Sequence, residues 1–301
     1  MTNNISPPAS IGFIGLGNMG YPMATRLANA GYKLTVSDLN TSAVTKFCEE
    51  TGSTAAKSLQ ELGEVSDVVI TMLPEGKVVR KVLLDETGVA GGLQPGTILI
   101  DMSTCSPVDT RNLGEELSEA GFHLIDAPVS GGVVKAIDGS LAIMAGGESE
   151  VIERCIPLLE NMGKVFKTGG PASGHAMKCM NNFLSAGSLA IASEAVILGT
   201  RFGLDPKIMV DILNSSTGKS NSTEHKFPAF ILPGTFNSGF YIGLMAKDLR
   251  LAVDLAESED ASAELLHHIS QLWDNAESEL GFKADNTEIF SYLETHATKT
   301  E

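Results

Sequence analysis

Apolar positions follow two different patterns on either side of about residue 170. Up to that point, short apolar runs of strand length alternate with glycine-rich turns and amphipathic stretches. The runs at 11–14, 33–37, 68–73, 97–100, 122–125 and 141–144 predict strands, the last of them the final clear one. Helical stretches between them put the connections on both faces of a mostly parallel sheet. Beyond residue 170 the period changes. Residues 176–202 read as one long helix, apolar nearly all round (Met177, Met180, Leu184, Ile191, Val196, Leu198), which predicts burial on every side. Gly203 ends it, and Asp205 with Pro206 opens another helix as N-cap and first-turn proline. Residues 214–226 are too polar for a core and read as a loop, either substrate-facing or merely solvated. A further helix starts at Phe240, in which Lys247 and Asp248 interrupt an apolar sequence. The division expected is 1–172 for an α/β domain and 173–301 for a helical one.

The first predicted strand runs straight into Gly15-Leu16-Gly17-Asn18-Met19-Gly20, followed by an amphipathic helix, a second strand and then Asp38. Strand, glycine turn, helix, strand and acid is the dinucleotide-binding pattern in the context it requires. Gly15 permits the tight turn, Gly17 lets a pyrophosphate approach the backbone, and Gly20 lets helix and strand pack closely. The helix N-terminus adds amide donors and partial positive charge. Asp38 would accept ribose hydroxyls and repel a 2′-phosphate. The next residues are Leu39 and Asn40 rather than Arg, so NAD is expected over NADP. The plainer alternative is that Asp38 only caps a turn. The strand at 68–73 carries Met72 and Leu73 to its C-terminal edge and stops at Pro74; such edges face the ligand in open α/β sheets.

Other chemistry is sparser. Ser130-Gly131-Gly132 presents backbone amides with no side chains in the way, which suits a carboxylate, although a simple tight turn explains it equally well. Lys178 is a lone cation in the first turns of the long apolar helix, with Asn182 one turn on along the same face. A buried ammonium is costly, so this lysine has a task or a paired acid. His175, in the first turn, has no task that the sequence reveals. His123 lies in a predicted strand with no partner motif, and His267-His268 lack ligands at metal spacing, so no metal is expected. A formal net charge of -16 and a pI near 4.8 argue against nucleic acid or an anionic membrane as partner. The four cysteines are scattered, without zinc spacing, and point to a reducing cytosol. The first ten residues read as a loose polar leader, and no apolar run reaches membrane-spanning length.

These motifs resemble the β-hydroxyacid dehydrogenase family. The resemblance covers residues 11 to about 255 and rests on four blocks in family order. They are the glycine turn at 15–20, Asp-Ala-Pro-Val-Ser-Gly-Gly at 126–132, the Lys178/Asn182 helix start and Leu-Met-Ala-Lys-Asp-Leu at 244–249. Gly169 and Gly174 match the glycines before the lysine, while Ala172 stands where the family has a third. The resemblance implies a Rossmann-type doubly wound sheet, a long interdomain helix and an all-helical C-terminal domain, in homodimers or homotetramers. It implies NAD(P)-dependent interconversion of a short β-hydroxyacid and its semialdehyde, with Lys178 as the catalytic residue helped by Asn182. Ser130, Gly131 and Gly132 would take the carboxylate, Leu73, Pro74 and Thr104 would line the cofactor cleft, and Lys247 would approach the nicotinamide. Two rivals share the architecture. Imine reductases carry other residues at the lysine position, so Lys178 counts against them; a non-catalytic NAD-binding scaffold would be expected to lose the lysine or the carboxylate turn.

Overall fold

The computed structural model describes residues 4–297. It divides into two compact units, the first running to Lys178 and the second beginning at Cys179. In the first unit nine strands form one sheet: β1 Ser10–Ile14, β2 Lys33–Ser37, β3 Thr54–Ala55, β4 Val68–Thr71, β5 Ile98–Asp101, β6 His123–Asp126, β7 Val129–Ser130, β8 Leu141–Gly146 and β9 Gly163–Gly169. Their order is β3-β2-β1-β4-β5-β6-β8-β7, with β9 also paired to β8. Pairings from β3 across to β6 are parallel, as is β8 with β9; β8 runs antiparallel to β6 and β7.

Successive residues of the central strands feed opposite faces. Phe13, Ile70 and Ile100 enter one core with Met23, Leu27 and Phe47, while Ile14, Val69 and Leu99 enter the other with Leu62, Leu83 and Leu117. Both faces are therefore covered, which is why these strands read as continuous apolar runs rather than alternating ones. From β1 the chain winds to one side through β2 and β3, then returns to β4 and winds to the other through β5 and β6. The reversal leaves a crevice beyond the C-terminal ends of β1 and β4, where ligands of doubly wound sheets bind.

The second unit is helical around Trp273 and Phe227, both fully buried, with Met245 and Leu249 from the helix Ile242–Ser258. The long helix Ser173–Phe202 supplies Cys179, Ala186, Leu189, Val196 and Ile197 to that core. Its other flank departs from the burial expected of it. Leu184, Ile191 and Leu198 are 64%, 64% and 71% exposed. An all-round apolar surface records that every side avoids water, not that this same chain covers each side. By length and composition this helix could also cross a membrane, contrary to the expectation that no run is long enough. Of its most apolar window 44% is buried within the protein. The helix Pro206–Asn214 starts as its sequence predicts, the Asp205 carboxylate accepting from Ile208 N at 2.9 Å. Part of the polar stretch read as a loop is instead helical. Ser222–Ile231 forms a π-helix in which Ser222 and Thr223 are buried, because Thr223 is bonded locally, its oxygens accepting from Ser220 N (2.8 Å) and Asn214 Nδ2 (2.9 Å).

Candidate active site

Two glycines of the 15–20 turn are fixed by packing and the third by something else. Gly15 has φ +102, and a Cβ there would sit 2.2 Å from the Met72 carbonyl oxygen. A Cβ on Gly20 would sit 1.9 Å from the carbonyl oxygen of Gly15. A Cβ on Gly17 would meet no protein atom within 4 Å, so the space beside it is free for a ligand. Leu16 is buried, Asn18 exposed and Met19 half-buried. The helix Gly20–Asn29 follows Met19 with no side-chain cap and no acid in its first turn, so no side chain competes with an anion there. Asp38 accepts from Leu16 N at 2.6 Å through one oxygen and from Asn40 N at 2.7 Å through the other. Each oxygen keeps a lone pair for a further donor. The turn and the acid are thus locked together before any cofactor arrives. Leu39 is fully exposed, and Asn40 caps the next helix by accepting from Ala43 N. Met72 and Leu73 are half-buried and Pro74 exposed at the C-terminal end of β4, with Leu73 N donating to Ser103 Oγ at 2.9 Å. Thr104 is half-buried just past β5. Free space at Gly17, uncapped amides and a fixed carboxylate are what a dinucleotide needs, and these residues fit one.

Ser130 ends β7, and Gly131 and Gly132 come next with φ +138 and +70. Both glycines are exposed, so no packed side chain covers the backbone there. Lys178 is 8% exposed, one turn into the long helix, and Asn182 is 4% exposed. In the second unit Asn182 Nδ2 donates to Asp248 Oδ2 at 2.5 Å, and its Oδ1 accepts from Asn181 Nδ2 at 3.0 Å. Lys247 Nζ lies 3.5 Å from the other oxygen of Asp248. The Asp248 carboxylate, 3% exposed, therefore joins two candidates, Asn182 and Lys247. Sequence reasoning misses this acid; its only signal is a charge interrupting an apolar helix face.

A second group that the sequence hides surrounds His175. This ring is fully buried, with Nδ1 2.9 Å from Thr110 Oγ1 and Nε2 3.1 Å from the Ser103 carbonyl oxygen. Asp126, at the end of β6, accepts from Ala172 N and His175 N, each at 2.8 Å. Burial pushes the Asp126 carboxyl above its usual range, and the neighbouring His175 pulls it back. Asp101, Cys105 and His175 offer atoms all within 4.8 Å of one another, close enough in principle for a cation. Those atoms already serve one another and the backbone, Cys105 Sγ donating to Asp101 Oδ2 at 3.2 Å and His175 Nε2 facing Ser103 O, so a metal would have to break both. His123 sits at the half-exposed start of β6, its Nδ1 3.3 Å from Glu148 Oε1, and His267 and His268 are exposed; none of the three joins the other candidates.

Two family models match the chain in succession. The family described as the NAD binding domain of 6-phosphogluconate dehydrogenase matches residues 10–172. The family described as NAD-binding of NADP-dependent 3-hydroxyisobutyrate dehydrogenase matches residues 172–293. NAD-dependent L-serine dehydrogenase of Pseudomonas aeruginosa is 38% identical over 262 residues, covering 85% of this chain and 88% of its own. 3-Sulfolactaldehyde reductase of Escherichia coli is 36% identical over 249 residues, 82% of this chain and 83% of its own. Among solved structures, Mycobacterium tuberculosis 3-hydroxyisobutyrate dehydrogenase with L-serine superposes with a TM-score of 0.88 at 33% identity, covering 95% of this chain and 99% of the other. The chain belongs to the β-hydroxyacid dehydrogenase family of NAD(P)-dependent oxidoreductases.

Proposed function

We propose that the protein interconverts a short β-hydroxyacid and its semialdehyde, with Lys178 as general acid and base. The observation that carries this reading is a lysine only 8% exposed at the start of a long apolar helix, in the same compact unit as the glycine turn and the Ser130–Gly132 turn. Bound NAD supplies the hydride acceptor or donor. In the oxidative direction the neutral Lys178 amine takes the hydroxyl proton as the C–H bond gives up its hydride, and the alcohol carbon becomes a carbonyl. In reverse the Lys178 ammonium returns that proton to the carbonyl oxygen. A lysine works as a base near neutral pH only with its pKa lowered, and burial acts in that direction. Asn182, oriented by Asp248, is the hydrogen-bonding partner proposed for the substrate oxygen, and the amides of Gly131 and Gly132 with the Ser130 hydroxyl are proposed for its carboxylate. Lys247 is proposed to approach the nicotinamide end. NAD is favoured over NADP, because the Asp38 carboxylate would repel a 2′-phosphate and no arginine comes after it.

The relatives named above act on L-serine, 3-sulfolactaldehyde and 3-hydroxyisobutyrate by their names, which sets the panel to try. Nicotinamide absorbance should change with 3-hydroxyisobutyrate, L-serine, glycerate or 3-hydroxypropionate, and should not change with the corresponding methyl esters. An inert panel alongside retained NAD binding would leave a scaffold rather than an enzyme. A homo-oligomer is also proposed. Leu184, Ile191 and Leu198 recur every seventh residue, forming a line along one side of the helix, and Phe202, Ile208 and Ile212 are exposed as well. The four cysteines are scattered and without zinc spacing, which favours a reducing compartment such as the cytoplasm.

A further inference from the structure

We propose that His175 is a positioning residue for Lys178, its ring fixing the rotation of the helix turn on which the lysine sits. The proposal rests on the reading of Lys178 as the acid–base group. A helix usually satisfies its first amides with a local side chain, but here Ser173 Oγ is engaged with Thr168 Oγ1 at 2.8 Å. The cap comes from the sheet instead: the two Asp126 oxygens take one amide each, Ala172 N and His175 N. The helix start is also pressed flat against the strand ends. A Cβ on Gly174 would lie 2.2 Å from the Met144 carbonyl oxygen, and one on Gly146 would lie 2.7 Å from Gly174 N. Ala172 holds φ +67, a left-handed conformation that alanine avoids and that persists only where the surroundings over-determine it.

This clamp fixes where the helix begins; the imidazole fixes how it is turned. The Ser103 carbonyl can only accept, so Nε2 carries a proton, and Nδ1 shares a hydrogen bond with the Thr110 hydroxyl. Both ring nitrogens are used, one by the loop after β5 and one by the helix Pro107–Glu119. The groups facing it are Asp101 (3.8 Å from Nε2), Asp126 (3.9 Å from Nδ1) and the Cys105 thiol. An apolar side chain could fill the same space but would hold no particular rotation. Lys178 lies less than one turn further along, so any rotation at His175 passes directly to the amine. A misplacement of about 1 Å is enough to cost on the order of 10²-fold in rate.

The test compares His175→Ala, His175→Gln and Thr110→Val, with Lys178→Ala as control, on the full-length enzyme. Turnover is read with whichever of 3-hydroxyisobutyrate and L-serine is faster, NAD affinity by NADH fluorescence, and folding by thermal denaturation. His175→Ala is expected to lower kcat about 10–100-fold while the Kd for NADH stays within about twofold. Gln, whose amide can donate toward Ser103, should recover part of that loss, and Thr110→Val should lose a few-fold. The proposal is overturned if kcat per folded His175→Ala molecule stays within twofold of wild type, if NADH binding is lost in step with kcat, or if Gln is no better than Ala. Should His175→Ala fail to fold, unchanged kcat in Thr110→Val overturns it. Normal turnover in Lys178→Ala would remove the reading of the lysine itself; an inert Lys178→Ala beside normal His175 variants removes only this inference.

Discussion

Gly17→Ala separates the cofactor site from the fold. At Gly15 and Gly20 an added methyl would strike backbone oxygens at 2.2 and 1.9 Å, so those substitutions damage the turn itself. At Gly17 the methyl meets nothing within 4 Å, and no left-handed φ demands a glycine. Alanine there should therefore cost the apoprotein nothing, and by narrowing the unfolded ensemble it should stabilise by about 0.4–1 kcal/mol. The only partner left to clash with is a ligand drawn onto the backbone. If a dinucleotide pyrophosphate lies against Gly17, the Kd for NAD should rise at least about tenfold, or ~1.4 kcal/mol. NAD held at ~100 times the wild-type Kd stabilises the wild type by ~2.7 kcal/mol, and a tenfold weaker site at the same concentration gains only ~1.4 kcal/mol. Thermal denaturation with and without NAD reads both quantities in one experiment. The apo Tm should hold or rise, and the shift on adding NAD should fall to about half. An undiminished NAD shift, or an apo Tm several degrees lower, refutes the reasoning.

Asp38→Ala should relax discrimination against NADP, because the carboxylate that repels a 2′-phosphate is gone; an unchanged NAD-to-NADP ratio of kcat/KM means that Asp38 does not meet the ribose. Asp248→Ala removes the acceptor of the Asn182 amide and should lower kcat at least about tenfold, with a stability cost of about 1–3 kcal/mol from the orphaned buried donor; wild-type kcat in this variant would detach Asn182 from catalysis. Lys226, half-buried, has its ammonium pushed down to about 8 by desolvation, which the Asp285 carboxylate only partly offsets. A base with a lowered folded pKa binds fewer protons folded than unfolded between about 8 and 10.5, so its burial cost is full below that window and fades as pH rises through it. Lys226→Met should therefore raise the Tm at pH 7, by on the order of 1–3 kcal/mol of stability, and the gain should shrink toward pH 10; a gain that does not vary with pH would place the effect elsewhere.

The parts of the fold legible in the sequence are those set by local pattern. Buried central strands such as Val68–Thr71 announce themselves because both faces are covered. Gly163–Gly169 gives no such signal because only its first residue is fully buried and lysines stand at 164 and 167, as befits a strand at a sheet margin. Thr54–Ala55 and Val129–Ser130 are too short to carry a pattern. The site divides along the same line. Glycine spacing, an acid after the second strand and a cation on an apolar helix are all read along the chain. Their supports are not, because Asp126 meets His175, and Asp248 meets Asn182, across long stretches of sequence that only the tertiary fold brings together. The exposed flank of the long helix is hidden from the sequence for a related reason, since hydrophobicity does not say which molecule covers a surface.

The most direct measurement of the central claim is turnover by Lys178→Ala with a primary amine such as ethylamine added back. A general acid–base role predicts a fall in kcat of ~10²–10⁴-fold at unchanged NAD affinity, with partial recovery that rises in proportion to the free amine. Turnover at the wild-type level without added amine would contradict the account, because the proton would then be moving without the lysine.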